Sequence, residues 1–287
     1  MSSQREAVSA MLSDLVDLWR ARHGTPVARF DVTADGRHVS GAVLTRAQAG
    51  EIAMRLPDDV SLNLQILEDR SEVPPLGWMR PVGALAPLYR GADLGRLTTE
   101  VLGTDGAVRA LEREGGAVLV QADDDTLGWA LATDLTVADA GKTEVLVDGE
   151  RIPAQTDTIV RLWDAARPFV EARTPYVLGG RSDGRADCSG LVSLVFRRAT
   201  GAILPRHSMD QRRLGERASR AEARPGDLIF ARLGDTNIPH VGLLLPGDRG
   251  LDIVHASQRA GHAVRQPEAE FLEGYRFMAV RRVLGDV

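Results

Sequence analysis

Three side chains in the last half of the sequence have the types that nucleophilic catalysis requires. Cys188 is the sole cysteine, and it stands between the glycine-rich stretch "PYVLGGRSDGRAD" and the apolar run "CSGLVSLVFRRAT". The spacing of that run predicts a helix with Cys188 in its first turn and Gly201 at its end. Unsatisfied N–H groups and the positive end of the helix dipole favour a thiolate at such a place. A nucleophile also needs a base, and a histidine base needs a third group to fix its tautomer. His240 opens "HVGLLL" and His255 closes "LDIVHAS". The turn "PGDRG" between these runs suits two neighbouring antiparallel strands that present both imidazoles at one end. The same residues have plainer readings: a buried thiol acts as a small hydrophobe, and histidines at strand ends satisfy hydrogen bonds. Metal ligation by the pair lacks a third ligand at the usual spacing.

The elements that must hold these residues fall into three parts. Over residues 1–72, Val8, Met11, Leu12, Leu15, Val16 and Trp19 recur at three- and four-residue intervals, the stripe of an amphipathic helix. "VARFDVTADGRHVSGAVL" reads as two strands around a "DG" turn, "TRAQAGEIAMRL" as a helix capped by Thr45 with Gln48, and "VSLNLQIL" alternates as a strand. This small α+β unit weakly resembles the BON domain. "EDRSEVPPLG" is charged and proline-containing, as a linker would be. Residues 73–140 carry short β-like runs, "TTEVL", "AVRALERE", "AVLVQA" and "LGWALATDL", with turns between them, the pattern of a small barrel. "TEVLVDGERIPA" reads as a hairpin around Asp148-Gly149. From residue 155 to 287 the chain predicts a helix, "TDTIVRLWDAAR", that Pro168 kinks or ends, then the cysteine helix, then a series of strands.

Composition narrows the function. The formal net charge is −5 over 287 residues, with both signs interspersed, so no nucleic-acid or anionic-membrane face is expected. No apolar run reaches the roughly 18 residues that span a bilayer, and the charged start is unlike a secretory signal. One cysteine forms no internal disulfide. These features lead us to expect a cytoplasmic protein that needs no cofactor. They leave the oligomeric state open.

"DCSGLV", preceded by "PYVLGG" and followed by "LPRHSMDQ", "RPGDLIF", "HVGLLL" and "VHAS", resembles the NlpC/P60 family of cysteine peptidases motif by motif and in order. The order of residues 73–140, with its late Gly128-Trp129 pair, resembles bacterial SH3-type domains. The resemblance implies an α+β, papain-like catalytic domain preceded by an SH3-like barrel. It makes Cys188 the nucleophile, His240 the base and His255 the orienting group. Tyr176 would stand beside the nucleophile, or be a half-buried loop aromatic. Leu178 and Ala186 depart from the family's usual aromatics. The layout is similar to γ-D-glutamyl-L-diamino acid endopeptidases that require a free N-terminal L-Ala. On that likeness Asp187 would hold the ammonium, and Ser189 and Ser257 the D-Glu carboxylate. Plain helix-start and turn hydrogen bonds serve equally for the two serines. His207 is read as structural.

The implied reaction is amide hydrolysis of murein peptides taken into the cell for recycling. The competing expectations are an autolysin-like hydrolase that grips intact wall and a binding or scaffold protein without turnover. Acyl transfer on lipids is disfavoured by the lack of a basic amphipathic stretch.

Overall fold

Each third of the chain folds around its own apolar cluster in the computed structural model, which describes residues 2–23, 28–69, 73–140, 145–234 and 239–286. In the first, helix α1 (Ser2–His23) buries Val8, Leu12, Leu15 and Trp19 against a three-stranded sheet. Strands β1 (Ala28–Val32) and β2 (His38–Val43) form the antiparallel hairpin, and β3 (Ser61–Ile66) lies parallel to β2 after the crossover helix α2 (Arg46–Ala53). Thr45 and Gln48 close a reciprocal capping box at the start of α2. Residues 70–72, at the expected boundary, lie outside the described residues.

The middle unit is built from β4 (Trp78–Pro81), β5 (Leu85–Tyr89), β6 (Leu97–Leu102), β7 (Val108–Glu114), β8 (Ala117–Gln121), β9 (Leu127–Leu131) and β10 (Leu135–Ala138). They pair antiparallel in the order β10-β4-β7-β8-β9-β5-β6, so the sheet is open where a closed barrel was expected. Its end strand β6 does not return to β10. It lies instead against the third unit, which covers an edge that would otherwise present unpaired backbone groups.

The third unit starts with α3 (Thr158–Glu171), which runs through Pro168 and ends at Ala172. A tight loop with the short strands β11 (Arg181–Ser182) and β12 (Arg185–Ala186) leads into α4 (Cys188–Thr200), followed by the single turn α5 (Ser208–Gln211). The main sheet comprises β13 (Glu216–Ala218), β14 (Leu228–Arg232), β15 (His240–Gly247), β16 (Gly250–Ser257), β17 (His262–Pro267) and β18 (Arg276–Arg282), with α6 (Glu268–Gly274) before the last strand. Its order is β13-β18-β14-β15-β16-β17. Strand alternation sends Val241, Leu243, Leu245, Val254 and Ala256 to the face packed by α3 and α4. Leu244, Ile253 and Ile229 go to the other face, under Phe271 and Tyr275.

The expected hairpin around Asp148-Gly149 does not pair with itself. Its turn forms, but Val145 bridges to Ile203 and Ile152 to Leu284, because both flanks find partners in the third unit. Residues 141–144 of that stretch lie outside the described residues. No helix among the described residues is long and apolar enough to cross a membrane.

Candidate active site

The start of α4 is fixed by the residues around Cys188. Asp187 is the N-cap, with extended backbone, and its Oδ1 accepts from the Gly190 N–H at 2.8 Å. Gly201, at φ +78°, ends the helix in the left-handed region. Gly190 is required by a close approach: a Cβ there would stand 2.2 Å from the Gly180 carbonyl oxygen. The glycine loop therefore packs directly on the first turn, and the Asp187 N–H donates to that same carbonyl. Leu191, Val192, Leu194 and Val195 are buried and anchor the helix to the sheet, which leaves Cys188 half-buried at its tip.

The two histidines belong to the opposite face. His240 and His255 share strand parity with Leu244 and Ile253, and antiparallel β15 and β16 pair Leu243 with Val254. Continuing that register sets Gly242 across from His255, so the two imidazoles are diagonal neighbours. Diagonal aromatic residues can touch if nothing stands between them. Gly242 supplies the gap, since a Cβ there would lie 2.5 Å from Ile253 Cγ2 and 3.4 Å from His255 Cβ. His240 Nε2 and His255 Nδ1 are 2.7 Å apart, in one hydrogen bond. Both rings are buried, and Tyr275 stacks on His240 with centroids 4.6 Å apart.

Burial governs the charges. It pushes the Cys188 thiol up to about 12, with the Asp187 carboxylate adding to the rise; N–H groups of Val241 and Ser189 oppose it without prevailing. The lowering expected at the helix start is present in the Ser189 N–H, but burial, and after it the Asp187 carboxylate, outweighs it. Burial also takes His240 down to about 4 and His255 well below its ordinary value, the latter helped by His240. Both shifts run in the direction that favours the neutral thiol and the neutral imidazole. The Val241 contact places the sulfur at the start of β15, the strand that His240 opens. Tyr176 is half-buried in the loop before α4, its hydroxyl held protonated by burial and then by the nearby Cys188 and Asp187.

Asp187 does not face an open pocket. Arg206 grips it from both ends, Nη1 to Oδ1 at 2.9 Å and Nη2 to Oδ2 at 2.8 Å, and the Gly179 N–H donates to Oδ2. Burial alone would raise this carboxyl, but Arg206 and the backbone donors hold it below the usual range. All its acceptor positions face protein, so the ammonium-holding role expected of it is not carried forward. Ser189 joins the same network, donating to Asp187 and accepting from Arg206. Ser257 lies with Tyr275 and accepts from the Ala260 N–H. Both serines have the helix-start and turn bonds of their plainer reading. His207 precedes α5 and makes no side-chain cap.

The middle unit reaches this network. Thr99 on β6 accepts from Arg206 Nε at 2.8 Å. Nearby, Arg181 pairs with Asp105 at 2.6 Å, its N–H donates to Glu100, Arg185 pairs with Glu100 and Arg197 with Asp123. Glu100, Asp105, Asp123 and Asp124 are all buried there. Sequence reasoning missed Arg206, Tyr275, Phe271 and Gly242. Arg206 stood inside a quoted motif, and Gly242 was legible as a glycine interrupting an apolar strand.

A cysteine at a helix start beside a buried histidine pair, on a mixed α/β scaffold, defines a thiol hydrolase type of site. The NlpC/P60 family profile matches residues 173–282. Murein DD-endopeptidase MepS/Murein LD-carboxypeptidase of Escherichia coli K12 is 33% identical over 135 residues, covering 47% of this chain and 68% of that protein. Gamma-DL-glutamyl hydrolase of Bacillus subtilis is 41% identical over 71 residues, covering 24% of this chain and 17% of that protein. Among solved structures, an NlpC/P60 family protein from Bacillus cereus aligns with a TM-score of 0.39 and 21% identity over 72% of this chain and 63% of that one. The chain belongs to the NlpC/P60 family of hydrolases and peptidases and has its papain-like fold.

Proposed function

We propose that the protein is a cysteine peptidase that hydrolyses the γ-D-glutamyl–diamino acid amide bond of peptidoglycan-derived peptides. The observation that carries this reading is the placement of the Cys188 sulfur at the start of β15, where His240 is hydrogen-bonded to His255. With Nε2 of His240 directed at His255, Nδ1 is the nitrogen left for the thiol. With both shifts favouring the neutral forms, the thiol proton passes to His240 Nδ1 as sulfur attacks the carbonyl carbon. The N–H of Cys188, at the helix start, favours the oxyanion, and Tyr176 stands beside it as a further donor. His240 then gives its proton to the departing amine, leaving a thioester. A water molecule, deprotonated by His240, releases the acid and restores the thiol.

The name of the murein relative supports a peptidoglycan peptide as substrate, and its DD- and LD-specificities concern other bonds; the γ-glutamyl bond is supported by the name of the Bacillus subtilis relative. A preference for a free amino terminus is supported here by the hydrogen bond from Arg206, the partner of Asp187, to Thr99, which ties the middle unit to the residues before the nucleophile. That preference would make released peptides the substrate and recycling inside the cell the role, for which cell fractionation is the test. The buried ion pairs favour this over a wall-gripping autolysin, because they tie the middle unit to the unit that carries Cys188.

The test is mass spectrometry of L-Ala-γ-D-Glu-meso-diaminopimelate, free and N-acylated, with the protein and with Cys188→Ala. Cleavage of the free tripeptide alone, lost in the variant, is expected. Equal cleavage of both forms would remove the amino-terminal preference. Cleavage of neither would leave a binding or scaffold protein.

A further inference from the structure

Phe271 and Tyr275 have no part in the chemistry above, yet they enclose both histidines. Tyr275, at the end of α6, is stacked on Phe271 with centroids 4.6 Å apart and planes 12° apart, and its other face lies on His240 at 4.6 Å and 21°. His255 stands perpendicular to both aromatic rings, with centroids 5.0 Å from Phe271 and 5.6 Å from Tyr275. For His255 Nδ1 to accept from His240, His255 must carry its proton on Nε2. That nitrogen is buried and has no oxygen or nitrogen partner among the described residues. An N–H in such a place is satisfied by the face of a ring. The developing imidazolium of His240 meets the electron-rich face of Tyr275, and burial strengthens that attraction.

We infer that Phe271 and Tyr275 are positioning residues of this hydrolase: an aromatic wall that holds His255 edge-on as the acceptor tautomer and His240 face-on, so that Nδ1 of His240 is kept for the thiol. The inference rests on the reading of Cys188 and His240 as nucleophile and base. The titratable and charged groups around this wall are His255 from β16, bonded to His240, Tyr275 stacked on it, Cys188, Tyr176 and Arg259 near Tyr275, and the Asp187 charge acting on His240. Ser257 bonds the Tyr275 hydroxyl at 3.3 Å, a contact that helps to fix the ring.

The test uses the full chain carrying Tyr275→Phe, Tyr275→Leu or Phe271→Leu. It reads kcat and KM separately, together with the pH dependence of Cys188 alkylation by iodoacetamide. Tyr275→Phe keeps the ring and should stay within about threefold of wild type. Tyr275→Leu and Phe271→Leu should each lose about tenfold in kcat with KM changed less than about twofold, the first by losing the ring on the His240 cation and the second by freeing His255 and the stacked Tyr275. Tyr275→Leu should also shift the inflection of the alkylation profile, which a merely structural role would not do. If Tyr275→Leu folds poorly, Tyr275→Met fills the space and gives the same comparison. A folded Leu or Met variant with wild-type kcat and alkylation profile would overturn the inference. Should the wild type hydrolyse nothing while the alkylation profile still shifts, the wall stands and the peptidase reading falls.

Discussion

Replacing Asp187 with asparagine separates two roles for the residue before the nucleophile. In the structure its carboxylate is the counter-charge of Arg206, a side chain 1% exposed with no outlet to water. Asparagine keeps an oxygen for the Gly190 N–H, so most of the cap survives. It leaves the guanidinium unpaired, and breaking a buried pair from one side costs about 3–5 kcal/mol. At about 2–4 °C per kcal/mol for chains of this general size, the apparent melting temperature should fall by on the order of 10 °C. The double variant Asp187→Asn, Arg206→Met removes the stranded charge and should recover most of that loss, because an apolar replacement of both partners is close to neutral. Thermal unfolding followed by circular dichroism measures all three proteins, with hydrolysis of free and N-acylated tripeptide assayed in parallel. An Asp187→Asn protein that melts like wild type but no longer distinguishes the two peptides would refute the reasoning and return the residue to the substrate.

Acid should weaken the fold through the histidine pair. His240 takes up a proton near pH 4 when folded and near about 6.5 when unfolded, so the unfolded chain binds more protons between these values and stability falls as pH drops through them. The gap corresponds to about 3 kcal/mol for His240, with His255 acting in the same direction. Urea midpoints across that range should decline more steeply for wild type than for His240→Gln, and parallel curves would discard the assignment. Gly242→Ala drives a methyl into Ile253 and His255. It should cost about 1–3 kcal/mol by overpacking and lower kcat by displacing His255, as read by melting and steady-state kinetics. A variant with unchanged stability and rate would show that the gap across from His255 is not needed.

What could be seen in advance divides along local and distant causes. The placing of Cys188 at a helix start and of His240 and His255 at strand ends was legible in short-range periodicity, while the roles given to them came from the family resemblance. Thr45 with Gln48 announced the α2 cap for the same reason. The pairing of Asp187 with Arg206 was not legible because Arg206 lies 19 residues on, and nothing in either segment says that they meet. The upward shift of the thiol was hidden for a related reason, since a helix start says nothing of how deeply its first residue is buried, and burial, with the Asp187 carboxylate second, sets that shift. Tyr275 and Phe271 look like ordinary core residues in sequence. The open edge of the middle sheet was hidden because closure depends on what lies beside β6, and here that is the third unit. The flanks of Asp148-Gly149 followed the same rule, pairing with remote strands in preference to each other.

The buried pairs between the middle and third units also bear on how such a chain could be taken apart. Domains joined by a polar connection usually move against one another. Here Arg181 and Arg197 lie against Asp105 and Asp123, with Arg181 and the two carboxylates almost fully buried. A cut between the units would bare matched, oppositely charged surfaces on two fragments. Each fragment is thus the other's best ligand, and mixing them in low salt, where their attraction is least screened, should favour reassembly without a peptide bond between them.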